Sequence, residues 1–272
     1  QRGDDVKDRA DKLLVRLGLF DSRASARAAI EAGCVRAGGA VVNKPSQILS
    51  ADDAIEAEPA HPYVSRGGLK LAHALAAFGV EAAGRACLDI GASTGGFTDV
   101  LLRAGARHVV AVDVGRGQFH PSLAGDARVT SLEAQDARAL TAELIGEAPS
   151  LLVCDASFIS LEKLLAVPLS LAAGTAEFVG LFKPQFQVGR KHVGKGGLVT
   201  DIEAADRAAS DFALWMEAQG WPIRAWTPSP VTTCTASPSS ATSTPSPRRG
   251  PGTLASTTWR ASVRAPRSWP GE

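Results

Sequence analysis

The chain has 272 residues, 45% of them hydrophobic, which suffices for one large domain or two modest ones with a substantial buried core. Its 29 basic and 28 acidic side chains leave a net charge of +1, so any surface for nucleic acid must be local. Cys34, Cys87, Cys154 and Cys234 lie far apart without a C-x-x-C pair, arguing against a disulfide framework or zinc site and for a reducing, cytoplasmic compartment, and the uncharged stretch 164–176 is too short to span a bilayer.

Residues 9–17 and 23–32 carry apolar side chains at helical spacing, with Ser22 placed to cap the second helix and Gly33 to end it. Residues 34–43 read as two short strands around Gly38-Gly39, so residues 1–60 are expected to form a small α+β module. Lys7, Arg9, Lys12, Arg16, Arg23, Arg27, Arg36 and Lys44 outnumber the acids between them and give this stretch a local charge of +4. Residues 61–64, containing His61-Pro62, read as a stiff linker.

Strand candidates then follow at 86–91, 108–113, 128–132, 150–155, 176–183 and 221–226, mostly separated by amphipathic stretches. Residues 65–231 are therefore expected to be an α/β domain, a mainly parallel sheet with helices on both faces. Beyond Val231, 22 of the last 41 residues are Ser, Thr or Pro, and neither a period of 2 nor one of 3.6 is evident. Residues 232–272 are read as a disordered tail of charge +4.

The run C-L-D-I-G-A-S-T-G-G-F-T at 87–98 places a glycine-rich turn between an apolar strand and a helix, where small residues and unpaired N–H groups can meet a ligand. It has neither G-x-G-x-x-G nor a P-loop lysine. Asp89 at the strand end instead suits a cofactor bearing an amino or sulfonium cation, with Gly91, Ser93, Thr94, Gly95, Gly96 and Phe97 forming the turn around it. Asp113 ends the second strand where a ribose diol is accepted in doubly wound folds, and Asp136 after the third is placed for an adenine edge. Either Asp89 or Asp113 alone reads equally well as a loop cap. Both together, beside a glycine turn, fit S-adenosyl-L-methionine.

The fourth strand ends V-C-D-A-S-F, without the N-P-P-Y or D-P-P-Y run that marks amine methylation. The fifth delivers Lys183 in F-K-P-Q-F, and Ser65-Arg66-Gly67-Gly68-Leu69-Lys70-Leu71 opens a helix with a second lysine. A ribose hydroxyl, with a pKa far above neutral, needs alignment with the methyl group and help with its proton, which two lysines around Asp155 can supply. Cys154 reads as a buried strand cysteine, the five histidines have no metal-ligand spacing, and the basic glycine-rich loop after Lys183 reads equally as an RNA contact or a solvated loop.

Two resemblances sharpen these readings. The spacing R-x-D-x-x-L-x-x-x-G-L-x-x-S-R-x-x-A-x-x-x-I-x-x-G-x-V, from Arg9 to Val35, resembles the RNA-binding domain first known from ribosomal protein S-four. That resemblance implies RNA contacts by Lys12, Arg16, Arg23 and Arg27. Residues 7–231 resemble the TlyA family of bacterial rRNA 2′-O-methyltransferases, also called hemolysin A, in R-A-D-K-L-L-V-R-L-G-L, Y-V-S-R-G-G-L-K-L, L-D-I-G-A-S-T-G-G-F-T-D, V-D-V-G-R-G-Q, C-D-A-S-F-I-S-L and F-K-P-Q-F.

The second resemblance implies a Rossmann-like, FtsJ-like catalytic domain, S-adenosyl-L-methionine as cofactor, no metal, and a monomer acting on ribosomal subunits at cytidine ribose in 16S and 23S rRNA. It also implies Arg66 as an RNA contact and a Lys-Asp-Lys-Glu tetrad, of which Lys70, Asp155 and Lys183 are present. The family's glutamate lies on a G-N-x-E-F-L strand after S-P-[IV], whereas here Ser229-Pro230-Val231 runs into the Ser/Thr/Pro tail. This departure implies a frameshift near codon 232, two unpaired interior strand edges, lower stability and weaker methyl transfer. An RNA-binding or ribosome-assembly protein with little catalysis is the second expectation, and a cytolysin, suggested by the family's other name alone, is a remote third.

Overall fold

Short elements around a small core make up the first unit of the chain up to Pro62; the computed structural model describes residues 7–194, 199 and 201–227 and the backbone of 228 and 257–262. These elements are β1 (Lys7–Arg9), α1 (Ala10–Arg16), α2 (Arg23–Glu31), β2 (Val35–Ala37), β3 (Ala40–Val41), β4 (Ile48–Ser50) and β5 (Ile55–Ala57). Ser22 caps α2, its Oγ accepting the Ser25 N–H at 3.2 Å. Gly38 and Gly39 turn β2 into β3 with φ of +56° and +80°, as a tight hairpin requires. Leu13, Leu14, Ala26, Ile30, Val35 and Leu49 form the core. The first helix starts one residue later than its spacing suggested because Arg9 is drawn into the β1 ladder with β4.

The second unit opens with α3 (Gly67–Phe78), β6 (Ala86–Ile90), α4 (Gly96–Arg103), β7 (His108–Val112), α5 (Pro121–Ala124) and β8 (Val129–Leu132). It continues through α6 (Ala142–Ile145), β9 (Leu151–Cys154), α7 (Leu161–Ser170), β10 (Glu177–Phe182), α8 (Ile202–Ala218), β11 (Ile223–Pro228) and β12 (Thr257–Ser262). Seven strands form one sheet in the order β11-β12-β10-β9-β6-β7-β8, parallel from β8 through β10.

Burial on both faces explains the apolar runs of the central strands. Leu88, Ile90, Val112, Leu152 and Phe178 pack in one layer with α7 and α8, while Cys87, Val109, Val153, Val179 and Leu181 pack with α3 and α4 in the other. Cys154 is fully buried, and burial pushes its thiol up to about 12, as a core cysteine and not a nucleophile. Strand order reverses at β6, which has β7 on one side and β9 on the other, opening a crevice at the carboxyl ends of the strands.

The expectation of two unpaired interior edges is overturned. β12 lies between β10 and β11 and pairs antiparallel with both, Trp259 standing opposite Gly180 on one side and Trp226 on the other. Thr257-Thr258-Trp259 favours extended backbone and the stretch has no proline to interrupt the ladders, so the slot between two open edges is filled. A composition dominated by Ser, Thr and Pro over 41 residues hides a strand of six. The reading of the rest of the tail as disordered lies outside the described residues.

Candidate active site

Asp89 sits within β6 with no exposed surface, and the Thr98 hydroxyl on α4 donates to its Oδ2 at 2.7 Å. Its Oδ1 has no hydrogen-bond partner, and burial raises the carboxyl to about 7. The acid thus lies beneath the glycine turn rather than on the wall of the cavity above it.

The turn's glycines serve different purposes. Gly91 has φ of +78°, and a Cβ there would come within 3.0 Å of the Ala156 Cα, so the residue is needed for conformation and for close approach. At Gly95, with φ of +90°, a Cβ would meet Leu123 Cδ1 at 2.5 Å, which makes this glycine a packing requirement of the protein itself. Gly96 abuts Ser65, Phe97 is buried in the core and Thr94 is exposed; these three and Gly95 shape the turn without lining the cavity.

That cavity, of about 530 Å³, is bounded by Gly91, Ser93, Asp113, Gln118, Asp136 and Asp155, with Ile90, Val112 and Leu164 as apolar wall. Asp113 Oδ2 accepts the Ser93 N–H at 2.9 Å and its Oδ1 accepts the Gly115 N–H at 2.7 Å. Asp136 reaches the cavity too, but its oxygens accept the Arg138 N–H and guanidinium, which hold the carboxyl below the usual carboxylate range. Among the described residues the non-glycines with positive φ are Ser93, Ala134 and Phe158; Ser93 and Phe158 line this cavity, and Ala134 precedes Gln135, which does. An acid at the second strand end, the close-approach glycine Gly91 and an apolar wall fit a nucleoside cofactor, and the buried Asp89 beneath the turn adds acidic character without lining the cavity.

At the same sheet edge three distant segments bring the predicted cluster together. Lys183 Nζ lies 2.6 Å from Asp155 Oδ1 and donates to the Asp155 carbonyl at 3.0 Å and to Ser157 Oγ at 2.8 Å. Lys70 Nζ stands 4.0 Å from Asp155 Oδ2. A Cβ on Gly67 would come 3.6 Å from that same oxygen, so the N-terminus of α3 faces the carboxylate. Phe158, 90% exposed with φ of +68°, stands beside the cluster with its ring 5.1 Å from that of Phe186. A second cavity next to it, of about 670 Å³, is lined by both rings, Lys163, Gln185 and Arg190.

In the first unit, Lys12, Arg16 and Arg27 are exposed, whereas the Arg23 guanidinium is held 2.7 Å from the buried Asp11; Arg66, in the second unit, is exposed at the start of α3. Thr98, Gln118, Glu133 and Ser157 have no role legible in the sequence; Thr98, Gln118 and Ser157 lie inside the family-like motifs, but only the fold shows what their side chains touch.

The profile of the FtsJ-like methyltransferase family matches residues 63–235, and that of the S4 domain matches residues 8–55. The 16S/23S rRNA (cytidine-2′-O)-methyltransferase TlyA of Mycobacterium tuberculosis (strain H37Rv) is 47% identical over 215 residues, covering 78% of this chain and 80% of that protein. Hemolysin A of Brachyspira hyodysenteriae is 41% identical over 194 residues, covering 71% of this chain and 81% of its own. A solved structure from Streptococcus thermophilus, named for hemolysin, superposes with a TM-score of 0.68 at 31% identity, covering 95% of this chain and 89% of that one. With its S4 domain, its parallel sheet and its assembled lysine-aspartate cluster, the chain belongs to the TlyA branch of the FtsJ-like methyltransferase family.

Proposed function

We propose that this protein methylates the 2′-hydroxyl of cytidine in 16S and 23S rRNA, using S-adenosyl-L-methionine and acting on ribosomal subunits in the cytoplasm. The observation that carries this reading is the Lys70-Asp155-Lys183 cluster at the mouth of the cavity. One carboxylate flanked by two ammonium groups favours negative charge growing on a ribose oxygen. Lys183 already holds a hydroxyl, that of Ser157. An incoming ribose hydroxyl takes that same hydrogen bond, while the Asp155 carboxylate assists departure of its proton and Lys70 supports the charge from the other side.

Bound S-adenosyl-L-methionine supplies an electrophilic methyl group. Gly91 would meet its amino acid end, with the buried Asp89 acting from beneath the turn and not by contact, and Asp113 would hold its ribose, with Ser93 fixing the Asp113 carboxylate through its N–H. Asp136 stands at the adenine end, although Arg138 already occupies its oxygens. Phe158 and Phe186 offer an aromatic surface on which a cytosine swung out of its helix can stack, at a cost of a few kcal/mol for unpairing. Lys12, Arg16 and Arg27 of the S4 domain, together with Arg66, supply charge for the RNA backbone.

No acid occurs between positions 232 and 271, so β12 carries no glutamate. This favours a second reading, an RNA-binding protein that retains the cofactor cavity with little catalysis. Tritium transfer from labelled S-adenosyl-L-methionine to isolated ribosomal subunits decides between them. The expected result is label in alkali-resistant cytidine dinucleotides, reduced by roughly 100-fold or more in Lys183→Ala. Cofactor binding without transfer would establish the second reading.

A further inference from the structure

The loop after β7 is held more firmly than a surface loop needs to be. Asp113 accepts the N–H groups of Ser93 and Gly115, the Ala134 N–H bonds to the Gly115 carbonyl at 2.8 Å, and Glu133 Oε1 accepts the Gln118 and Phe119 N–H groups at 2.9 and 3.2 Å. A Cβ placed on Gly115 would lie 2.8 Å from Gln118 Nε2 and 3.0 Å from Asp113 Oδ1, so the two polar tips converge on the same spot beside Gly115. The Ser93 hydroxyl donates to Gln118 Oε1 at 3.3 Å, which turns the amide NH₂ toward the carboxylate side. Both side chains line the same cavity.

We propose that Asp113 and Gln118 form a two-armed clamp on the cofactor's ribose, with Glu133 as the residue that positions the Gln118 arm. The inference rests on the reading of this cavity as the S-adenosyl-L-methionine site. A vicinal diol presents two hydroxyls, each able to donate and accept. Asp113 offers only acceptor oxygens and suits one proton, while the Gln118 NH₂ offers the donor that a second carboxylate would lack. Lys and Arg would bring donors as well, but with a charge that would compete for Asp113. An amide is the neutral choice.

The test is calorimetric titration of S-adenosylhomocysteine and of its 2′-deoxy and 3′-deoxy counterparts into the full chain. The unaltered protein is expected to bind the ribose form at least 10-fold more tightly than either deoxy form, as a site built to hydrogen-bond a hydroxyl does. Gln118→Ala and the similarly long Gln118→Met are expected to weaken the ribose form about 10-fold while barely changing one deoxy form, so that discrimination against that hydroxyl collapses. Glu133→Ala is expected to lose about half of that discrimination on a logarithmic scale. Glu133→Gln, which keeps an acceptor oxygen, is expected to restore it. Equal weakening of all three ligands, or no change in any, would overturn the clamp while leaving the cofactor reading intact. Failure of the unaltered chain to bind S-adenosylhomocysteine would overturn both.

Discussion

Asp11 has no exposed side-chain surface, yet it carries a charge, which Arg9 meets at 3.0 Å and Arg23 at 2.7 Å. The Arg9 hydrogen bond is the largest cause holding its carboxyl down to about 2, against the cost of burial. Because the folded value is the lower one, this contribution to stability is complete above the ordinary carboxylate range and is lost as pH falls from about 4 toward 2. The R-x-D and S-R positions of the motif thus serve to tie α1 to α2. Both arginines are about half exposed, so screening limits the strength of the tie. Asp11→Ala is expected to lower stability by roughly 1–3 kcal/mol and Lys12→Ala by less than about 0.5 kcal/mol, measured by chemical denaturation at pH 7. Equal losses would contradict that division. Asp89 behaves in the opposite sense. Its folded value is raised by burial, so the folded state holds its proton more tightly than the unfolded chain does and stability falls as pH rises from about 4 to 7. Asp89→Asn is expected to flatten that fall between about pH 4 and 7 while weakening binding of S-adenosyl-L-methionine. A slope unchanged by the substitution would show that Asp89 does not carry it.

At the scale of elements, β12 is the decisive piece. Its backbone is paired on both sides, so a residue without an N–H in the middle of it breaks a ladder in the sheet's interior. Trp259→Pro is expected to cost about 3 kcal/mol, a fall in Tm of several degrees by calorimetry. An unchanged Tm would mean that the sheet does not depend on β12. β6, β7, β9 and β10 were legible as apolar runs because both of their faces are covered. β11 begins two residues later than its run suggested, since Trp221 is buried in the turn after α8 and not in the ladder. β4 and β5 were missed because strands of three residues leave no period to read, and their partners lie far away in the chain.

Taken whole, the molecule divides its labour between two units: every residue lining the proposed cofactor cavity belongs to the second, while the exposed Lys12, Arg16 and Arg27 belong to the first. Replacing these three with alanine is expected to reduce the slope of log K for rRNA against log salt by about two to three, with the affinity for S-adenosylhomocysteine unchanged. A parallel loss of both affinities would place RNA and cofactor binding on one surface. Among the described residues no helix is long and apolar enough to cross a membrane. The α/β class, the glycine turn and the identity of Lys70, Asp155 and Lys183 were set by the sequence alone, because hydrophobic periodicity and motif spacing are local properties of a chain. Three further features belong to the tertiary structure: the burial of Asp89, the grip of Lys183 on Ser157 and the convergence of Gln118 and Asp113 beside Gly115. Each depends on where separate segments finish in space, which sheet pairing and packing decide together.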